Sequence, residues 1–555
     1  MDNKIFYFSI IFIIGLIFFL QWFGSYRERQ KRKYYVKKYF GKREGKKADM
    51  KEVSSFYHTF YHDGLDPITW NDLHMDEIFH RFDRCRSYIG RLGLYSLLRR
   101  PLKTKEGIEK RQEELKKLRK HKDEGITIQS IYTRLGEKSV KDFAKLLDKG
   151  MDSLDSKWKI YLPLCSLFPL YIIIFLLIFG VQGISVLFIL GFSILNQRLS
   201  SQLEKEAYGR IDTMGQVSRI IDTSKRLKPK EGDLFYEERM VLYEKTKDLK
   251  SLARSSGIVR SAGMGSEYAM FVQFLDILFL IQGWTLKRFI SEFNHKKETI
   301  KELTELLGEI EGKIVLASLW ETEDLVEGQV AEKGIFLEQG IHPLLEEPVP
   351  NSLTLKDKGI LLTGSNASGK STYLRMIGIN VHLFQTIGSM YGKSYCGEVV
   401  DLQSAIDISD DLLNKDSYFV AEGKAIGRML LPSPRKKFLL LDEIFRGTNT
   451  IDRISAATMT LKALSKENFV IAATHDGELT VTVKDVMDNY HFDEKIKEGQ
   501  LLFDYTLKPG PARSKNAIKI LELLDYPKEV IQGAEKLAEK MESRRMDEDI
   551  FSTSR

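Results

Sequence analysis

Residues 360–374 read "ILLTGSNASGKSTYL": an apolar run, a loop bounded by glycines, and the start of a helical pattern. Within it Gly364, Ser365, Asn366, Ala367, Ser368, Gly369, Lys370 and Ser371 satisfy the spacing G-x-x-x-x-G-K-S/T, and Thr372 follows. Glycines let such a loop curl until successive backbone N–H groups point at phosphate oxygens, and the helix start adds its positive dipole end. Lys370 is placed to reach the β- and γ-phosphates of a nucleotide, and the Ser371 hydroxyl to ligate Mg2+. The apolar runs at 360–362, 438–441 and 469–473 predict buried parallel strands, so an α/β domain is expected from about residue 335.

Two further strand ends carry chemistry. Asp442 and Glu443 close the run "FLLLDE", where an aspartate can hold the magnesium shell and the next carboxylate can orient or deprotonate water. The third strand ends in Thr474-His475. A histidine at the carboxyl edge of such a sheet can hydrogen-bond a γ-phosphate or the attacking water.

The chain begins differently. Residues 5–23 hold no charged side chain, and at 1.5 Å rise per residue they come close to the ~30 Å hydrocarbon thickness of a bilayer. Residues 27–47 then carry eleven Lys/Arg against Glu28 and Glu44, a local charge of +9 in a chain of net +7. The remainder is slightly acidic, so the basic balance belongs to the apolar run's flank and does not by itself argue for nucleic acid. Positive flanks stay in the cytoplasm, which puts the amino terminus outside and the bulk of the chain inside, with the flank attracted to anionic lipid. A second uncharged stretch, 160–197, is interrupted by Gly180-Val181-Gln182-Gly183 and is expected to form a membrane hairpin. Cys85, Cys165 and Cys396 lie far apart with no C-x-x-C, which indicates neither a disulfide framework nor a zinc site.

Residues 50–155 and 198–325 read as helices. Phe293, Ile300, Leu303, Leu307, Ile310 and Ile314 recur at helical spacing and predict one apolar stripe on a long helix. Helix is expected again over 517–541, and a loose end after it.

In their order these pieces resemble the MutS family of DNA mismatch-repair ATPases. The family's G-P-N-M-G-G-K-S-T-Y-L-R is matched by "GSNASGKSTYLR", its L-L-D-E-I-G-R-G-T by "LLDEIFRGT", and its A-T-H-x-x-E-L by "ATHDGEL". "DSYFVAE" resembles the family's S-T-F-M-x-E loop, which reaches the partner's nucleotide across a dimer; the resemblance makes Ser417 the trans contact. "HPLLEE" resembles the segment leading into the family's ATPase domain. "ITWNDLHMDEIF" and "GRLGLYSLLRRPLKTKEGIEKRQEELKKL" look like the opening of its helical core, and "LKPGPARSKNAIKILELLDYPKEVIQGAEKL" like its closing dimerisation helices. Three departures stand out: the mismatch-reading Phe-x-Glu wedge is not seen before the core, the uncharged hairpin falls where the levers and DNA clamp are expected, and Phe445 and Arg453 replace family glycines.

The resemblance implies a multidomain chain: transmembrane helices, an all-α MutS-core-like region and a C-terminal α/β P-loop ATPase domain of the ABC type. The expected divisions are an anchor at 1–25, a basic segment at 26–50, helical core at 51–159 and 198–334 around the hairpin 160–197, the ATPase domain at 335–510 and dimerisation helices at 511–545. Glu443 and His475 are the expected catalytic residues, Gly364 to Thr372 the ATP loop, and Ser371 and Asp442 the Mg2+ ligands. The implied function is a membrane-anchored ATPase that hydrolyses ATP as a homodimer, on or near DNA, at the cell membrane. A nucleotide-switched membrane scaffold without DNA binding is the alternative. Half of an ABC transporter comes last, because L-S-G-G-Q occurs nowhere.

Overall fold

Two helices that cross glycine against glycine organise the first half of the chain. The computed structural model describes residues 2–43, 47–61, 63–138, 142–180, 183–255, 275–276, 278–365, 368–407, 418–497, 500–512, 521 and 526–538. It divides into two units, the first made of Met1–Gly64, Phe79–Arg100 and Glu113–Glu323, the second of Leu65–Ile78, Pro101–Gln112 and Asp324–Arg555.

The first unit is helical as far as it is described. Its axis is the helix Ile281–Ser318, in which all six residues of the expected stripe are buried. That helix packs on Tyr88–Arg99. A Cβ on Gly93 would lie 1.9 Å from the Gly308 carbonyl oxygen, and one on Gly308 2.9 Å from that of Ile89, so only hydrogen fits where the backbones meet. Gly90 makes room in the same way for Glu311, whose carboxylate accepts from the Arg86 N–H at 2.6 Å and from the Ser87 hydroxyl. Ser87 in turn caps the helix by accepting from the Gly90 N–H at 2.9 Å. Burial pushes the Glu311 carboxyl up to about 7.

The uncharged stretch forms the helix Phe168–Phe179, which ends at Gly180, and the start of the helix Gly183–Arg226. Phe175 stacks on Phe188 at 4.4 Å and Phe168 on Phe192 at 4.6 Å between ring centroids, zipping the two together. Among the described residues one helix, Gly183–Leu203, is long and apolar enough to cross a membrane, and 17% of it is buried. The pair Trp158–Ser166 and Phe168–Phe179 would make a second, bent by 47°. Pro163 inside the first helix and Pro169 at the start of the next remove the amide donors that would keep that run straight. The helix Gly183–Arg226 runs on well past residue 197, and the amino-terminal helix Asp2–Lys38 joins the uncharged run to its basic flank without a break.

Among the described residues the second unit holds three sheets. Its strands are β1 (Leu325–Glu327), β2 (Gln329–Val330), β3 (Ile335–Gly340), β4 (Asn351–Leu355), β5 (Gly359–Thr363), β6 (Ser389–Tyr391), β7 (Ser394–Gly397), β8 (Asp401–Ala405), β9 (Lys437–Asp442), β10 (Phe469–Ala473), β11 (Met487–Lys497) and β12 (Gln500–Pro509). β1 pairs with β6, β2-β7-β3-β4 form a four-stranded sheet, and β12-β11-β5-β10-β9-β8 the main one. In the main sheet β11, β5, β10, β9 and β8 run parallel, and β12 returns antiparallel. Leu361, Leu439, Leu441, Val470 and Ala472 meet Ile426 and Leu461 in its core.

Residues 65–78, which the sequence reading assigned to the helical region, pack into this second unit. Asp72 accepts from the Ser404 hydroxyl at 2.5 Å and from the backbone N–H of Ile406 and Asp407 at 2.9 and 3.0 Å, and Asp66 pairs with Arg428 at 2.5 Å. Of the expected carboxy-terminal helices, residues 528–538 are described and are helical.

The glycine crossing yields a test by thermal or chemical unfolding. Gly93→Ala should destabilise by about 2 kcal/mol or more through overpacking. Gly125→Ala, where the added carbon meets only Ile314 at 3.8 Å, should be neutral or stabilise by up to about 1 kcal/mol. Equal effects of the two would contradict the packing described.

Candidate active site

Strand register assembles the site. Ala473 of β10 is paired with Leu362 of β5 on one side and with Asp442 of β9 on the other, so the three strands end level. The P-loop, the Asp442-Glu443 pair and Thr474-His475 therefore leave the sheet side by side. The Thr474 N–H reaches the Leu362 carbonyl and the Glu443 N–H the Ala473 carbonyl, both at 2.9 Å, which ties the three loops at their roots.

Gly364 and Gly369 both take positive φ, 138° and 103°, bending the chain into the helix Lys370–Ile387. Lys370 is buried and donates to the carbonyls of Gly364 and Ser365 at 2.6 and 2.8 Å. Burial pulls its ammonium below the usual lysine range, and the charges of Asp442, Glu443 and Glu494 oppose that shift. Ser368 closes the loop by donating to the Ser365 carbonyl at 2.7 Å. Asn366 and Ala367 lie outside the described residues, as does Ser417.

Ser371 donates its hydroxyl to one oxygen of Asp442; the other oxygen, Oδ1, is buried with no hydrogen-bond partner among the described residues. Burial raises the Asp442 carboxyl above its usual range, against Ser371 and Lys370. A hydroxyl and a buried carboxylate with one unmet oxygen fit a hard divalent cation. Ser371 and Asp442 are thus the residues that would hold Mg2+.

Glu443 stands at φ +49° and Phe445 at φ +60°, a region few side chains adopt. Glycine is the residue this backbone favours; here Phe445 packs on Phe419, ring centroids 5.9 Å apart. Glu443 is held by Arg446 at 2.9 Å and lies 3.8 Å from His475 Nδ1. His475 is half exposed, and its neighbour Asp476 takes a bidentate pair from Arg453 at 2.9 and 2.8 Å. Arg453, the other residue in place of a family glycine, thus pins the loop that carries His475.

Three groups have roles that the sequence did not give, although the first, Glu422, is the glutamate of "DSYFVAE" matched to S-T-F-M-x-E. Glu422, on the helix Tyr418–Leu430, is buried and accepts from the backbone N–H of Phe445, inside the turn that carries Glu443. Burial pushes its carboxyl up to about 7, with Glu443 acting in the same direction and the N–H groups of Phe445 and Arg446 against it. Glu494 of β11 accepts from the Ser365 hydroxyl at 2.7 Å. Tyr505 of β12 lies 3.1 Å from where a Cβ of Gly369 would be. Beside the P-loop helix is a cavity of about 390 Å³, walled by Tyr373, Phe492 and Tyr505 with Asn351 and His342 at its polar edge. Asn351 fixes that wall, donating to the Tyr505 carbonyl and accepting from the Leu507 N–H, both at 2.8 Å. Burial, with Arg375 and His74, pushes the His342 imidazole down to about 4, so it is neutral near pH 7.

Residues 360–542 match the family model described as MutS domain V. The chain is 30% identical over 254 residues to the DNA mismatch repair protein MutS of Thermus thermophilus, covering 45% of this chain and 31% of the relative. For the MutS of Fusobacterium nucleatum the figures are 32% over 278 residues, 45% and 31%. For that of Natronomonas pharaonis they are 29% over 257 residues, 44% and 30%. The match thus spans about a third of the length of these curated relatives. The carboxy-terminal region is a MutS-family ATPase domain of the ABC type, joined to a helical region.

Glu422 gives this site a pH signature. Its carboxyl ionises near 7 when folded and near 4.5 when free. As pH rises from 6 to 8 the ionised form grips the two N–H groups more strongly, so turnover should rise. Glu422→Gln should flatten that rise. Stability runs the other way: the contribution of the raised carboxyl is full below about 4.5 and lost as pH rises through 7, so the glutamine variant should melt no lower than wild type at pH 8. An unchanged pH–rate profile in the variant would remove Glu422 from this role.

Proposed function

We propose that the chain is a membrane-anchored ATPase that closes as a homodimer on two ATP-Mg2+ and reopens on hydrolysis, acting on or near DNA. The observation that carries this reading is the shared edge of β5, β9 and β10. There a buried lysine, a hydroxyl–carboxylate pair with one unmet oxygen, a second carboxylate and a histidine surround the place a triphosphate would take.

Lys370 and the loop amides would bind the β- and γ-phosphates, and the cavity walled by Tyr373, Phe492 and Tyr505 would take the base. Mg2+, when held by Ser371 and Asp442, would neutralise developing phosphate charge. Glu443 would orient and deprotonate water, with His475 sensing the γ-phosphate. Dimerisation follows from the likeness to MutS, in which Ser417 would meet the partner's nucleotide. Anchorage is supported by the uncharged run at 5–23, its basic flank and the little-buried apolar helix Gly183–Leu203. A role on DNA rests on the likeness to DNA mismatch repair proteins alone.

Three variants test the site. Lys370→Ala should weaken ATP binding by about tenfold or more, through loss of a buried charge-assisted contact. Glu443→Gln should keep ATP affinity, lower kcat by about 10²–10⁴ and accumulate the closed dimer on gel filtration. His475→Ala should slow hydrolysis with less effect on binding. Normal turnover of Glu443→Gln would overturn the assignment. ATPase activity of the full-length protein with duplex, mismatched and branched DNA then separates the partners. Stimulation that falls steeply with salt supports a DNA role, and no response to any of the three supports the nucleotide-switched scaffold.

A further inference from the structure

Beyond the nucleotide site, the first unit has a second, basic pocket of about 410 Å³, half open to the surface, between the amino-terminal helix Asp2–Lys38, the helix Lys122–Tyr132 with the turn after it, and the helix Gly183–Arg226. Arg29, Arg32 and Lys33 enter it from one face of the first helix, at the i, i+3, i+4 spacing. Arg134 enters from the turn and Arg226 from the last turn of the long helix. Asp222 pairs with Arg226 at 2.8 Å and reaches Arg134 at 3.9 Å, while Glu28 pairs with Arg32 at 2.7 Å. Arg29 and Lys33 have no acidic partner among the described residues. The cluster therefore keeps about three positive charges facing one half-open pocket. Burial and the charges of Arg226, Arg32 and Arg29 together pull the Arg134 guanidinium below its usual range, against Asp222.

We propose that this cavity binds a dianionic phosphate, the phosphomonoester of a lipid headgroup or of a small soluble metabolite. Guanidinium forks match phosphate oxygens bidentately, and a dianion offsets most of the excess charge. A pocket of this volume admits a headgroup or a small metabolite. The lipid source rests on the membrane reading above, whereas the phosphate chemistry does not. Along the unbroken first helix Arg29 lies six residues beyond Phe23, the end of the uncharged run, or about 9 Å further at the helical rise. That depth is close to the headgroup layer.

The test uses the full-length protein in phosphatidylcholine nanodiscs with the nucleotide site saturated by ADP-Mg2+, titrated calorimetrically with glycerol 3-phosphate. Retention of phosphatidic acid from doped discs is followed by native mass spectrometry. Arg29→Gln/Lys33→Gln removes two charges that pair with nothing in the described fold, and Lys37→Gln/Lys38→Gln removes two from the same helix outside the cavity. At least one probe should bind the first variant about tenfold more weakly than wild type, and the second within twofold. If phosphatidic acid in the disc abolishes glycerol 3-phosphate binding, the occupant is a headgroup. If glycerol 3-phosphate binds undisturbed, it is a soluble phosphate. No binding of either probe, or equal losses in the two variants, overturns the proposal.

Discussion

Parallel pairing of β5, β10 and β9 in one register is the constraint from which the site follows. Ladder pairing of Leu362, Ala473 and Asp442 stops three chain segments at a common edge. A slip of β9 by one residue would carry Asp442 away from Ser371 and turn that strand's side chains to the other face. The strands are buried on both sides, and that forces the polar groups to the ends: Leu361, Leu440 and Val470 sit in core where an uncompensated charge would be costly. Only where the strands run out can a lysine, two carboxylates and a histidine be solvated by a ligand or by each other. Even there Lys370 is buried, and its ammonium is satisfied for the moment by the P-loop's own carbonyls.

The turn after Asp442 shows a second constraint. Glu443 and Phe445 both hold left-handed backbone, at a cost of about 1–2 kcal/mol for each non-glycine residue. Something must over-determine that conformation. Glu422 accepts from the Phe445 N–H, Phe419 packs on the Phe445 ring, and Arg446 draws Glu443 back across the turn. Two of these supports come from the helix Tyr418–Leu430, which begins directly after Ser417, the residue expected to meet a partner's nucleotide. Phenylalanine at this left-handed position thus gives up the backbone freedom a glycine would have for a packing contact with that helix.

Legibility in the sequence followed the range of the interactions. The P-loop was readable because spacing, glycines and lysine act within eight residues, and the stripe from Phe293 to Ile314 because helical periodicity is local. The three strands were readable as apolar runs. The roles of Glu422, Glu494, Arg453 and Asp72 were not, although Glu422 falls on the glutamate of S-T-F-M-x-E and Arg453 stands out as a departure. Each acquires its role only from a partner brought near by the fold: the Phe445 amide, Ser365, Asp476, and Ser404 more than 300 residues on. Residues 65–78 therefore looked like a piece of the helical region and proved to be bonded to the end of β8. The glycine crossing was hidden for the same reason, since Gly93 and Gly308 explain each other and neither explains itself.

The helical unit applies the same physics to the opposite problem. At the active site, polar groups are concentrated where ligand can reach them. In the crossing of Tyr88–Arg99 with Ile281–Ser318, a carboxyl is buried where no ligand enters, and it must be neutralised or fully bonded. Glu311 meets that requirement by capping the incoming helix through Arg86 and Ser87 while burial pushes its carboxyl up to about 7. Its acceptor oxygens thereby fix the point at which the helix Tyr88–Arg99 begins, and with it which glycines face Gly308 and Gly312. A single carboxyl thus sets the axial position of two helices whose contact has no side-chain bulk to set it.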